Sequence, residues 1–255
     1  MRDVDPSEHE GTPRPIVAIG NDYPPAFELA PHRHQRAQLL YASQGVVSVS
    51  TPQGAWAAPP ERAVWIPPGV EHAVKMVGAV STRSVLITAG ACPERGDCCE
   101  VLAVSPLLRR LLIESVDLPI EYDLEGRDGL LMALLAREIA LAPTVPLAVP
   151  FPRSPALAAR CHAFLAAPDA SATIDDWAAA LGQGRRAFTR AFRRETGMSF
   201  QAWRQQAMLL SALPRLAAGE PVTTIALDLG YDSPAAFTTM FKRLTGIPPS
   251  RYRSS

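Results

Sequence analysis

Two stretches near the end of this chain repeat one another, and that repetition restricts the fold more than any other feature. In the first, Leu181 and Gly182 precede Phe188, Thr189, Phe192, Arg193, Arg194, Thr196, Gly197, Trp203 and Arg204. In the second, Leu229 and Gly230 precede Phe237, Thr238, Phe241, Lys242, Arg243, Thr245, Gly246, Tyr252 and Arg253. The offset is 48 up to the glycines and 49 beyond, so one residue is added in the turn. A fixed self-match of this kind means one supersecondary unit used twice.

Each copy carries the parts of a helix-turn-helix. Thr173 and Asp176 form a capping-box start for a short helix bearing Trp177 and Leu181. Gly182 suits the left-handed residue that ends such a helix and opens a tight turn. In the next helix Phe188 and Phe192 lie one turn apart on the buried side. Arg186, Thr189, Arg190 and Arg193 then occupy the opposite face. In the second copy Gly230 ends the first helix, Ser233 caps the next and Pro234 begins it. There Phe237 and Phe241 point inward, while Ala235, Thr238, Thr239 and Lys242 point out. Arginine can pair bidentately with guanine or hold phosphate, and threonine can touch a thymine methyl. An ordinary helical bundle with solvated arginines is the competing reading, and two matched copies weigh against it. The candidate DNA-contacting residues are Arg185, Arg186, Thr189, Arg190, Arg193, Ser233, Ala235, Thr238, Thr239 and Lys242.

These residues resemble the AraC/XylS family of transcription regulators, above all in IALDLGYDSPAAFTTMFKRLTGIPPSRYR. The resemblance spans about 154–253 and implies two helix-turn-helix units on one joining helix, reading successive major grooves of double-stranded DNA. It places base-facing positions at Arg186, Thr189 and Arg190, then at Pro234, Ala235, Thr238 and Thr239. It also implies RNA polymerase as a partner. This chain departs from the family pattern at the first recognition helix, whose usual hydroxyl cap is Gly184, and in its second reading face, which is short and has no arginine. Pro214 interrupts the joining helix, where a kink or a tolerated proline is expected.

Charge agrees with this division. Residues 154–255 hold 12 Arg and Lys against 7 Asp and Glu, while 1–153 hold the remaining 13 basic and 18 acidic residues. The second part suits a polyanion and the first does not.

The first part has a β texture from about residue 15 to 89. LLYAS, VVSVST, RAVWI, HAVKMV and TRSVLI read as separate short strands punctuated by QG, PQG and PPG. Within it lie His32-x-His34, Gln38, and His72 after Pro67 and Gly69. Residues i and i+2 of a strand share a face, so His32 and His34 can look inward together, and the PPG turn can return His72 to them. Three neutral imidazoles and the Gln38 oxygen would suit one divalent ion such as Zn, Ni, Mn or Fe. The alternative is that the histidines only line a ligand pocket. These spacings resemble the two cupin motifs, with Gln38 where many cupins have glutamate, and AraC/XylS regulators often carry such a barrel as effector domain.

The expected fold is therefore α+β, with a cupin-like β-barrel, then helices, then an all-α DNA-binding domain. Residues 1–14 are expected to be a disordered tail, 15–100 the barrel and 101–142 a helical dimerisation or packing segment. Residues 143–153 read as a Pro-rich linker and 154–255 as the tandem helix-turn-helix domain. The leucine-rich helix at 128–141 is either a homodimer contact or packed on its own barrel. The most apolar stretch, residues 129–142, is short and carries Arg137 and Glu138, so no membrane span is expected. No signal peptide pattern is seen, which points to the cytoplasm. Cys92, Cys98, Cys99 and Cys161 match no metal or disulfide framework and read as reduced thiols. The expected function is an effector- or metal-sensing transcription regulator, not an enzyme. The other reading, a cupin-type metal-dependent enzyme with an accessory DNA-binding domain, leaves two recognition helices without a purpose.

Overall fold

The computed structural model describes residues 6–59 and 61–252. The chain divides into two compact units, one of residues 1–51 with 56–146 and one of 52–55 with 147–255.

The first unit is β-rich and antiparallel. Its strands are β1 (Ile16–Tyr23), β2 (Glu28–His32), β3 (Ala37–Thr51), β4 (Gly54–Ala58), β5 (Arg62–Ile66), β6 (His72–Ile87) and β7 (Glu100–Ala103). Helices α1 (Pro106–Ser115) and α2 (Arg127–Leu141) follow, then the two-residue strand β8 (Thr144–Val145). The central path runs β1-β6-β3-β5-β7-β8, with β2 on β6 and β4 on β3.

Two of the sequence expectations need correction here. LLYAS and VVSVST are one strand, β3, and HAVKMV and TRSVLI are one strand, β6. The two pair from Ala37↔Ile87 to Ser50↔Ala73, with register shifts between Ala42 and Val46. Gln44–Gly45 is thus a bulge inside a long strand and not a turn between short ones. Gly45 has φ +77°, and a Cβ there would lie 2.6 Å from the Ala79 carbonyl oxygen. Only glycine fits. The second correction concerns the N-terminus. Residues 1–5 lie outside those described, but 6–14 are not a disordered tail. Pro6–His9 forms a 3₁₀ turn. Buried Arg36 donates to the backbone carbonyls of Glu10 at 3.4 Å, Thr12 at 2.6 Å and Arg14 at 2.8 Å. A buried guanidinium must have its donors satisfied, and this polar segment supplies the acceptors.

Helices α1 and α2 cover one face of the sheet. Leu108, Leu112, Met132, Leu135 and Ile139 are buried in one cluster with Leu39, Tyr41, Trp65, Val85 and Ile87. Ser105 caps α1 by accepting from the Leu108 N–H, and Pro106 sits at its start. The alternate residues of β3, Gln38 and Leu40, line the other side of the sheet. On α2, Leu130, Leu134 and Leu141 are exposed, as is Leu107 on α1. All four cysteines are free, and burial pushes the Cys92 thiol up to about 11 and those of Cys99 and Cys161 up to about 12.

The second unit begins with strand β9 (Ala148–Pro150) and continues in helices α3 (Pro155–Ala166), α4 (Ile174–Ala180), α5 (Arg185–Thr196), α6 (Phe200–Ala217), α7 (Val222–Asp228) and α8 (Pro234–Thr245), closed by a 3₁₀ turn at Pro249–Tyr252. The Pro-rich stretch 143–153 is therefore not a bare linker, since it holds β8 and β9. Its backbone is used: Phe151 N–H donates to the Gln53 carbonyl at 2.7 Å, and the Trp203 indole donates to the Pro150 carbonyl at 2.8 Å. Trp177, Phe188, Phe192, Phe200 and Trp203 form one aromatic core, with ring centroids 4.8–6.4 Å apart for Trp177 against the other four. Such edge-to-face arrangements are the favoured ones. Helix α6 runs through Pro214 without ending, and its Ala218 cap N–H is accepted by the Pro214 carbonyl. Arg215, next to it, pairs with Glu220 at 2.7 Å and with Asp228 of α7 at 2.5 Å.

Candidate effector cavity and DNA interface

The β-rich unit holds a cavity of about 610 Å³ that is open on one side to solvent. Its walls come from β1, β2, β3, β6 and the connections on either side of β2: Ile19, Phe27, Leu29, Leu40, Val74 and Met76 supply apolar surface, and His32, His34, Gln38, Asn21, Thr82 and Ser84 supply polar groups. Asn21, Thr82 and Ser84 were not singled out by sequence reasoning. Polar residues alternating along a strand look like a solvated face, yet these three are buried.

The histidine cluster is assembled by pairing and by one turn. His32 ends β2 and stands opposite His72 in register. His34 lies beyond that strand, so the expected i, i+2 strand geometry does not hold. Instead the Gly69 N–H of the PPG turn donates to the His34 carbonyl at 2.8 Å, which draws His34 toward the start of β6. Ring centroids are 4.3 Å apart for His32 and His72, and 5.1 Å for His34 and His72. One ligand atom from each of the three lies within 4.8 Å of the others.

Backbone carbonyls set the tautomers. Nδ1 of His32 faces the Ala30 carbonyl at 2.9 Å, Nδ1 of His34 the Arg36 carbonyl at 2.5 Å, and Nδ1 of His72 the Val70 carbonyl at 2.9 Å. Each Nδ1 therefore carries the hydrogen, and each Nε2 presents a lone pair. Among the described residues the buried His72 Nε2 has no hydrogen-bond partner. Burial, the largest influence on His72, holds its pKa down to about 4, so this imidazole stays neutral in mildly acidic solution. His34 Nε2 stands 3.0 Å from Gln38 Oε1, and Gln38 Nε2 donates to Ser84 Oγ at 3.2 Å. With His34 protonated on Nδ1, two lone pairs face each other. A cation resolves that opposition, as does a half-turn of the amide, which brings its NH₂ to His34. The donor set fits a divalent metal.

In the helical unit, Thr173 and Asp176 form a complete capping box at α4, and Gly182 has φ +63°. Phe188, Phe192, Phe237 and Phe241 are all fully buried. The candidate reading residues of α5 lie on the outside, where Arg186, Thr189, Arg190 and Arg193 are exposed. Among the described residues Arg186, Arg190 and Arg193 have no ion-pair or hydrogen-bond partner for their side chains. Arg185 differs: it pairs with Asp175 at 2.8 Å. On α8, Ala235, Thr239 and Lys242 are exposed and Thr238 half-buried. The hydroxyls of Thr189 and Thr239 donate back into their own helices, to Arg185 and Ala235 carbonyls at 2.7 and 2.9 Å. Ser233 is occupied as the α8 cap, accepting from the Ala236 N–H at 3.2 Å.

Residues 177–255 match the model of a helix-turn-helix domain, and residues 15–137 match that of an AraC-like ligand binding domain. The HTH-type transcriptional regulator NimR of Escherichia coli is 33% identical over 221 residues, covering 87% of this chain and 81% of that protein. This chain belongs to the AraC family of transcription regulators. It joins a ligand-binding domain to a helix-turn-helix DNA-binding domain, as AraC-family regulators do. The arabinose operon regulatory protein of Escherichia coli is 34% identical over 68 residues, 25% of this chain and 22% of that protein. Among solved structures, ToxT from Vibrio cholerae is similar over 94% of this chain and 98% of that one, with 10% identity and a TM-score of 0.39. Among the described residues no helix is long and apolar enough to cross a membrane.

Proposed function

We propose that this AraC-family regulator is controlled through the cavity of its N-terminal unit, a cupin-type barrel in which His32, His34, His72 and Gln38 hold one divalent metal ion beside a small-molecule effector. The observation that carries the reading is the shared orientation of the three imidazoles. Every Nδ1 is committed to a backbone carbonyl, so every Nε2 is a ready ligand, and the buried Nε2 of His72 has no hydrogen-bond partner among the described residues. The ion would supply a fixed positive charge in the cavity, while the protein groups set its position. Occupation of the cavity changes DNA binding and is not the prelude to turnover, so the protein acts as a cytoplasmic regulator and not as an enzyme.

Arg186, Thr189, Arg190 and Arg193 on α5, with Ala235, Thr238, Thr239 and Lys242 on α8, contact double-stranded DNA in this reading. Arg185 and Ser233 support them from the helix starts. Leu130, Leu134 and Leu141 recur on one side of α2 and are exposed, which supports a homodimer contact there. RNA polymerase is the partner in transcription.

Metal analysis of tag-free protein purified without chelators tests the metal. One divalent ion per chain is the expected result, and His34→Ala should abolish it and blunt the effector response. The isolated 154–255 segment should bind DNA unchanged. A metal content near zero with normal effector response would show that the histidines only line the pocket.

A further inference from the structure

We propose that the effector is a small organic carboxylate whose head binds the metal directly and whose apolar body fills the rest of the cavity. This inference rests on the metal reading above.

Charge is the starting point. The donors are three neutral imidazoles and a carboxamide oxygen, so none of them offsets the two positive charges of a divalent ion. Gln38 stands where a glutamate would supply one negative charge. No aspartate or glutamate is buried among the described residues, and Glu8, the one acidic residue lining the cavity, is exposed. A divalent ion would thus keep its full charge inside a pocket that is apolar on several sides. An unpaired buried charge is costly, by far more than any neutral hydrogen bond can return. An anionic ligand would supply the negative charge that the described metal donors lack.

Space and lining then describe that ligand. A cavity of about 610 Å³ is far larger than an ion with its waters and falls in the range of pockets for small organic molecules. Leu40, Val74, Met76 and Ile19 offer an aliphatic wall, and the stacked rings of Tyr23 and Phe27, 5.1 Å apart, lie on the same cavity. An anion of water-like size would leave this surface uncovered. A carboxylate with an aliphatic or aromatic body satisfies both ends: its oxygen takes an open position on the metal and its carbon skeleton meets the apolar wall. Metal and ligand then bind cooperatively, because each lowers the cost of burying the other.

The test uses full-length protein loaded with Co²⁺, whose visible ligand-field bands report its coordination shell. Acetate, hexanoate and benzoate are titrated in, with hexanol and benzyl alcohol as uncharged counterparts. The expected result is a saturable band shift with the carboxylates, stronger for hexanoate and benzoate than for acetate, and none with the alcohols. Co²⁺ should also leave more slowly to a chelator when carboxylate is present. Gln38→Glu supplies the charge from the protein, so it should hold Co²⁺ at least as well while losing about ten-fold or more in carboxylate affinity. Bound Co²⁺ whose bands no carboxylate shifts, or alcohols that act equally, would overturn the proposal and leave the metal reading standing. So would a folded Gln38→Glu protein that retains Co²⁺ and its full carboxylate affinity. Wild-type protein that retains no Co²⁺ would remove the metal reading and this proposal with it.

Discussion

Helices α5 and α8 are built alike and exposed differently. Each buries two phenylalanines one turn apart, and each ends on a left-handed glycine, Gly197 at φ 73° and Gly246 at φ 82°. In each, the last threonine turns its hydroxyl back to the phenylalanine carbonyl one turn earlier: Thr196 to Phe192 at 2.7 Å and Thr245 to Phe241 at 2.9 Å. Their outer faces do not match. Helix α5 shows three arginines without partners among the described residues, while α8 shows alanine, two threonines and one lysine. Their starts differ in the opposite sense, since α8 has a serine cap and a proline at its first turn and α5 has Gly184 with no side-chain cap. Framework and reading face are therefore encoded by separate residues, and one can change without the other.

The largest effects should come from the framework. Phe188→Ala and Phe237→Ala each remove a fully buried ring and should cost about 3–5 kcal/mol of unfolding free energy. Footprinting should then show protection lost first in the half of the site under the altered unit. Loss of the whole footprint in both variants would mean that the two units are one cooperative body. Next come the faces. Arg190→Ala should lower DNA affinity by about 1–3 kcal/mol and relax sequence preference in one half of the site. Thr239→Ala should cost less, because its hydroxyl already serves the Ala235 carbonyl. Binding-site selection with sharper specificity under α8 than under α5 would invert the comparison.

Capping differences should be smaller still. Ser233→Ala removes the α8 cap and should cost about 1 kcal/mol in thermal or urea unfolding. Gly184→Ser should gain a few tenths of a kcal/mol, since a Cβ there meets nothing within 4 Å. The last difference is one of pH. The Thr173 hydroxyl and then its N–H hold the Asp176 carboxyl below its ordinary pKa, whereas α7 begins at Pro221 with no side-chain cap. A lowered pKa means that the unfolded chain takes up the proton first. The contribution of Asp176 is thus complete above the ordinary carboxylate range and fades as pH falls through its lowered value. Hydrogen exchange as the pH is lowered below the ordinary carboxylate range should therefore show α4 loosening before α7; the reverse order would refute the role of the box.

What the sequence made legible follows the same line between framework and detail. The helix-turn-helix pair was readable because phenylalanines at helical spacing and a glycine at each turn leave little freedom. The histidine cluster was readable as a spacing, although His34 reaches it by the Gly69 hydrogen bond and not by sharing a strand with His32. Gly45 misled, because a glycine between apolar runs reads as a turn, and only the approach of the Ala79 carbonyl shows a bulge. Asn21, Thr82 and Ser84 gave no signal, since burial is a property of the assembled sheet and not of the strands that carry them. Arg36 could not be paired in advance with carbonyls some two dozen residues earlier.

The pairing of β1 with β6 bears on how the protein is made. Ile16 meets Ile87 in that ladder, so β1, once outside the ribosome, waits for a partner about seventy residues later, several seconds at ordinary rates of synthesis. Its apolar face stays open during that interval, and non-local pairing of this kind is intrinsically slow to form. The helical unit emerges after the β-rich one but closes mostly through near neighbours. Newly made chains therefore pass through a stage in which a sticky, unfinished β half precedes a quickly folding helical half, and their yield should depend on chaperones that shield β1.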